Sequence, residues 1–211
     1  MPALSIGDCI GYGWETFKKR PWFLIGAFLL ASFVAAVPGI FGPQPEIGPD
    51  GQPFLPPVTA FQAVMSLVSV VVSFLAAIGM TTFALRAHDN VATAHIGDLW
   101  NPAPFWRFVG AHILSAILIM LGLIAFVIPG IMIAMGLSFV PFLVVERGLG
   151  PIQAMQESWR ITNGHKGRLF LLVLALVGLN FLGLLAFVVG VLVAIPVTMI
   201  AFAHAYRTLA T

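Results

Sequence analysis

Residues 166–207 read KGRLFLLVLALVGLNFLGLLAFVVGVLVAIPVTMIAFAHAYR, and no charged side chain lies between Arg168 and Arg207. As one helix this charge-free run would extend about 57 Å, roughly twice the hydrocarbon thickness of a bilayer. It therefore reads as two crossings, Leu169–Val189 and Val191–Tyr206, that turn at the small residue Gly190. Working back along the chain, the same test finds Trp22–Phe41, Val58–Leu85, Phe108–Ile128 and Ile131–Val145, for six candidate spans. The fourth and sixth are the shortest and contain Pro141 and Pro196, each of which removes a backbone donor. Both are expected to bend or to sit where the bilayer is thin.

The composition agrees. Of 211 residues, 60% are hydrophobic and 9% charged, with a mean hydropathy of +1.02, which excludes a soluble domain. The net charge is only +2, and its cations sit at the ends of apolar runs rather than in a patch that could follow phosphates, so no nucleic-acid partner is expected. Cys9 is the sole cysteine, which leaves neither an internal disulfide nor a Cys-based zinc site.

Orientation follows from the basic residues in the short connections. With six spans, all ten fall on one side: Lys18, Lys19 and Arg20; Arg86 and Arg107; Arg147, Arg160, Lys166 and Arg168; and Arg207. The other side holds a Pro-rich loop over 42–57, with Glu46 and Asp50, and two expected tight turns at Pro129-Gly130 and Gly190. The expected localisation is the bacterial inner membrane, multi-pass, with both termini cytoplasmic. A secretory signal ending near Ala35-Ala36 is the weaker reading of the first basic and apolar segment.

The chain also echoes itself. Ile6-Gly7-Asp8 recurs as Ile96-Gly97-Asp98, Val37-Pro38-Gly39-Ile40 recurs as Ile128-Pro129-Gly130-Ile131, and Gly130 and Gly190 each lie seventeen positions before an arginine, Arg147 and Arg207. Three units result, each with a cytoplasmic interfacial segment, an outgoing helix, a turn and a returning helix ending in Arg86, Arg147 or Arg207. They run parallel, unlike the inverted pair of many secondary transporters.

Two segments have amphipathic spacing. In 1–20, Ser5 and Asp8 have capping-box spacing, and Ile6, Ile10, Gly13, Trp14 and Phe17 share a face expected to lie flat on the membrane. In 146–167, Pro151 opens a helix whose stripe is Ile152, Met155, Trp159 and Thr162, with Gln153, Gln156, Glu157 and Arg160 opposite and Asn163-Gly164 as the stop. All five tryptophans fall near cytoplasmic span ends, as orientation anchors do. A sharper reading makes Trp14, Lys18, Lys19, Arg20, Trp159, Arg160, Lys166 and Arg168 a surface for anionic lipid headgroups.

The second segment carries a family resemblance. Glu146-Arg147-x-x-Gly150-Pro151-Ile152-x-Ala154, then Ser158-Trp159-Arg160-x-Thr162-x-Gly164, with Tyr206-Arg207 near the end, resembles the membrane domain associated with glycerophosphoryl diester phosphodiesterases and related bacterial inner-membrane proteins. The resemblance implies a membrane module rather than the enzyme, because in that family the chemistry belongs to a separate soluble barrel.

Catalysis has no residue-level support: there is no GxSxG, no phosphate-cradling loop and no HExxH. His112 and His204 lie near span ends and read as structural residues; a metal or proton site joining them to His88, Asp89 or His95 is the rival. No catalytic residue, cofactor or metal is expected. Asn180, the one strongly polar residue near mid-span, should bond to another helix, and Ser69, Ser73, Ala77 and Thr81 form a small-residue face suited to close helix approach. The sequence thus predicts an all-α integral membrane protein, a single six-helix domain over 1–211 built as three repeated hairpins. Its expected role is a scaffold, accessory subunit or lipid-interacting module, with membrane lipids and a membrane protein or second copy as partners. A small transporter or channel with a path near Asn180 is the alternative.

Overall fold

Charge-free runs long enough to cross hydrocarbon must satisfy their amides internally, and helix is how a single segment does so. The computed structural model describes residues 4–47, 52–54 and 56–210, and Asp50 lies outside them. Its elements are α1 (Ile6–Lys19), α2 (Pro21–Ile40), strands β1 (Glu46–Ile47) and β2 (Pro53–Phe54), α3 (Ala60–Asn90), a 3-10 turn (Ile96–Leu99), α4 (Phe105–Ala125), α5 (Val127–Gly136), α6 (Val140–Arg147), α7 (Pro151–Thr162), α8 (Lys166–Leu185) and α9 (Phe187–Ala210). Six helical stretches have the length and apolarity of membrane spans, with α5 and α6 together forming the fourth. The chain is a multi-pass membrane protein. The Pro-rich loop contains the two short strands, paired antiparallel with Glu46 opposite Phe54.

Burial separates two kinds of span. Half of the sixth window and 44% of the fourth are buried, against 11% to 22% of the other four. α6 and α9 are therefore inner helices, which explains how the two shortest apolar runs are accommodated: protein, more than lipid, surrounds them. Phe139, Leu143, Val144, Ala201, Ala205 and Tyr206 are all fully buried there. The opposite end of the bundle is looser, and Ile124, Phe126, Ile128, Leu184 and Leu185 remain exposed.

Both expected turns are displaced. α4 ends at Ala125 and α5 starts after the extended Phe126, so Pro129 and Gly130 lie in the first turns of α5, where a missing N–H costs nothing. Gly190 likewise lies inside α9. These glycines serve packing. A Cβ on Gly122 would sit 3.0 Å from Gly130 Cα, and one on Gly190 would strike the Gly183 carbonyl, so each pair lets two antiparallel helices close just inside the turn.

The two prolines act differently. Pro196 is accommodated within continuous α9, whereas the fourth span breaks over 137–139, with Pro141 in the first turn of α6. The break is repaired from α7. Ser158, fully buried, donates to the Gly136 carbonyl at 2.7 Å and accepts from the Phe139 amide at 3.3 Å. Thr162 lies beside it and donates to the Ser158 carbonyl at 2.8 Å. α7 accordingly buries Ala154, Met155, Ser158, Ile161 and Thr162, while Ile152 is 63% exposed and Trp159 41%. Of the apolar stripe Ile152–Met155–Trp159–Thr162, Met155 and Thr162 are thus buried while Ile152 and Trp159 stay exposed, because the hydroxyls that mend the break must point inward.

α1 also packs on protein. Ser5 accepts from the Asp8 amide at 3.3 Å and caps the helix. The inward face is Cys9, Gly13, Thr16 and Phe17, packed on α9, where a Cβ on Gly13 would lie 2.5 Å from the Val197 carbonyl. The helix rests on protein through that face, and Trp14 stays outside it.

Two outcomes are expected. Ser158→Ala strands a buried carbonyl and a buried amide and should cost about 1–3 kcal/mol in chemical denaturation in detergent. Arg160→Ala, which removes an exposed pair, should cost far less, and equal stabilities would contradict this account of the break. Burial also pushes the Cys9 thiol up to about 11, with Asp8 adding to the shift. A maleimide at pH 8 should therefore label Cys9 at least an order of magnitude more slowly in the folded protein than after denaturation.

Candidate functional site

Helices that end in unsatisfied carbonyls attract cations, and the basic residues here are first of all helix-end partners. Arg20 donates to the Val91 and Ala92 carbonyls at 3.1 Å each, past the end of α3, and its guanidinium lies 4.1 Å from the Phe23 ring. Arg107 donates to Gly148, the left-handed residue that ends α6, at 2.6 Å. Arg147 reaches the Ala210 carbonyl of α9 at 3.3 Å.

The sequence-derived headgroup candidates divide accordingly. Lys18 pairs with Glu15 at 2.6 Å, and Trp14 stacks on Phe17 at 5.8 Å between centroids. Arg160 holds Glu157 through two contacts of 2.6 and 2.8 Å, and Arg147 adds a third at 3.2 Å. The hydrogen bond from Arg160, followed by the charges of Arg160 and Arg147, holds the Glu157 carboxyl below the usual carboxylate range against its partial desolvation. Lys166 Nζ lies 3.1 Å from the Trp159 ring centre, and that ring covers Gly136, leaving no room for a Cβ. Lys19 and Arg168 remain exposed, with Lys19 beside a cavity of about 230 Å³ that Tyr12, Thr16 and His88 also line.

At the same end sits a network of which the sequence suggests only the grouping of His204 with His88 and Asp89. Arg207 on α9 bridges Asp89 on α3, at 2.6 and 3.1 Å, and Glu146 on α6. Tyr206 donates to the other oxygen of Glu146. His88 Nδ1 meets Asp89 at 3.1 Å and its Nε2 meets His204 Nδ1 at 3.0 Å. Tyr12 stacks on His204 at 4.3 Å and donates to the His88 carbonyl at 2.6 Å. A pair of imidazoles at this distance shares one proton, with one ring donating to the other. His112 lies apart, stacked on Phe108 at 5.2 Å and edge-on to Phe74. Among the described residues no three His, Cys, Asp or Glu side chains are grouped as metal ligands. For Glu146 and Arg207 the sequence signal is only that both fall at helix ends.

Within the bundle, Asn180 donates to the Leu176 carbonyl at 2.8 Å and to Thr198 of α9 at 3.3 Å. Ser69, Ser73 and Ala77 line an open space of about 390 Å³ with Phe74 and His112, while Thr81 donates to the Ala77 carbonyl of its own helix. The closest backbone approach made by α3 is at Gly79, which packs directly on Leu99, and Ser69 lies against Gly39 of α2.

No curated protein and no solved structure matches the chain. The model of a family described as "protein of unknown function (DUF975)" matches residues 58–211, from the start of α3 onward and well over half the chain, and the protein therefore belongs to that family.

Proposed function

We propose that this protein is a non-catalytic, lipid-interacting scaffold or accessory module of a bacterial inner membrane, with both termini cytoplasmic and the basic end of the bundle facing the cytoplasm. The observation that carries the reading is the engagement of chemically capable side chains in holding helices together. Ser158 mends a backbone break, Arg20 and Arg107 serve helix ends, and Arg207 links three helices. The exposed Lys19 and Arg168, with the exposed rings of Trp14 and Trp159, form the remaining contact with anionic headgroups. The likeness of residues 146–164 to the membrane domain associated with glycerophosphoryl diester phosphodiesterases goes with this membrane role and not with phosphodiester chemistry.

The same reading takes the bundle as three parallel units. The packing α2 on α3, α4 on α5, and α8 on α9 supports it. So does the way each interfacial segment docks on a neighbouring unit: α1 on α9, the 3-10 turn on α3, and α7 on α6. Every segment then rests on the returning helix of the preceding unit, and α1 closes the ring on the last.

A small transporter or channel is the second reading, favoured by the cavity beside Asn180. Its lining is uncharged and mostly apolar, which suits a polar solute poorly.

The test uses the full chain in nanodiscs. Anionic phosphatidylglycerol should stabilise it against denaturation relative to phosphatidylcholine, and Lys19→Gln with Arg168→Gln should remove about 1 kcal/mol of that difference per residue. A stability independent of lipid charge would sink the headgroup contact, and solute flux in proteoliposomes would favour the transporter. In the Cys9→Ser background, Glu46→Cys should react with an impermeant reagent from outside the cell.

A further inference from the structure

Tyr12, Thr16, Lys19 and Arg20 follow one another at helical spacing, so one face of α1 walls the cavity of about 230 Å³ beside Lys19. The facing wall is the end of α3, from Ala87 to Asn90, with Val91 and Ala92. A threonine inside a helix can return its hydroxyl to the carbonyl four residues back, and Thr81, Thr82 and Thr162 do so at 2.8, 3.0 and 2.8 Å. Thr16 does not. It lines the cavity and is only 3% exposed, yet its hydroxyl has no partner among the described residues. Its oxygen keeps accessible surface, where the unpaired hydroxyl of Ser115 keeps almost none.

Three further donors line the same space. Lys19 forms no ion pair among the described residues. Asn90 Oδ1 accepts from the Ala92 amide at 3.0 Å, which assigns Nδ2 to the other side, where it has nothing to donate to. Arg20 spends Nη1 on the Val91, Ala92 and Ala94 carbonyls at 3.1, 3.1 and 3.4 Å and leaves Nε and Nη2 without a partner. The carboxylate of the lining, Asp89, has both oxygens on Arg207, and the carbonyls past the end of α3 are covered by Arg20, so little negative field is left to oppose an anion.

The donors define the ligand. A cation would meet Lys19 and Arg20, and a hydrocarbon would leave the hydroxyl and the amide unserved. A group with several acceptor oxygens and a net negative charge answers all four. We propose that this cavity binds a phosphoryl group of net negative charge, with Thr16, Lys19, Arg20 and Asn90 donating to its oxygens. Trp22, the second residue of α2 and 84% exposed, puts the cavity at the membrane boundary, within reach of an anionic lipid headgroup. Phosphatidylcholine sets its own ammonium against Lys19 and Arg20 and competes poorly. The site deepens the headgroup contact proposed at Lys19, and it rests on that reading for the source of the phosphoryl group.

The experiment uses the full chain in phosphatidylcholine nanodiscs and follows its stability against denaturant in two arms. One adds phosphatidylglycerol to the bilayer, the other glycerol 3-phosphate to the buffer. Stabilisation should rise and saturate with phosphatidylglycerol; saturation by glycerol 3-phosphate alone would assign the cavity to a soluble phosphate ester and sink the headgroup contact. In whichever arm saturates, Thr16→Val should raise the half-saturating amount about tenfold, the factor expected of one hydrogen bond to a charged group. This variant loses a hydroxyl bonded to nothing in the protein and should fold as well as the parent, and Thr16→Ser should restore the parent value. Asn90→Asp keeps the oxygen that accepts from Ala92, replaces the free donors with charge, and should abolish saturation. A charge effect that grows without saturating, a half-saturating amount unmoved in Thr16→Val, or saturation in Asn90→Asp would overturn the cavity site and leave the surface contact at Lys19 and Arg168 standing. No effect in either arm would overturn both.

Discussion

Inside hydrocarbon there is no solvent to complete a broken hydrogen-bond ladder, so every interruption of a spanning helix has to be mended by another part of the protein. The interruption between α5 and α6 sets much of the rest. Pro141 cannot donate, the chain kinks ahead of it, and Gly136 and Phe139 turn to the hydroxyl of Ser158. That need fixes the rotation of α7, presses Trp159 over Gly136, and brings Lys166 above the indole at the start of α8. A repair to one span thereby determines how the next one begins.

The basic end works by the same logic. A helix of a soluble protein can leave its last carbonyls to water, but here the arginines that the positive-inside pattern would assign to orientation alone also close α3, α6 and α9. Topology signal and packing device are one set of side chains. Lys19 and Arg168 are among the cations that stay exposed.

The spans were legible because they depend on one quantity, the length of chain without charge, and the ends found from it lie within a few residues of the helices. The turns are not legible from Pro129, Gly130 and Gly190, because the missing donor of the proline and the small size of the glycines suit the crowded first turns of a helix as well as a chain reversal. Hydrophobic spacing reads α1 and α7 as interfacial helices, with Trp14 on a face expected to lie on the membrane; the protein contacts of Gly13 and Ser158 are not legible that way, because small side chains carry little hydropathy signal. Asn180 stood out as the lone polar residue of its span. The cavity beside it did not, since it is made by four helices far apart in sequence, and neither did the meeting of Asp89, Glu146 and Arg207.

That last meeting makes three helices one thermodynamic unit. The guanidinium of Arg207 is shared by two carboxylates from different helices, and Glu146 is shared in turn with Tyr206. Loss of Arg207 leaves two carboxylates without their cation, and loss of either acid unties one helix from the other two, so the energies of single substitutions do not sum to that of the multiple one, and no share of the coupling belongs to one residue. Natural variation at these positions would be expected to be concerted, with the acid and base exchanged or lost together.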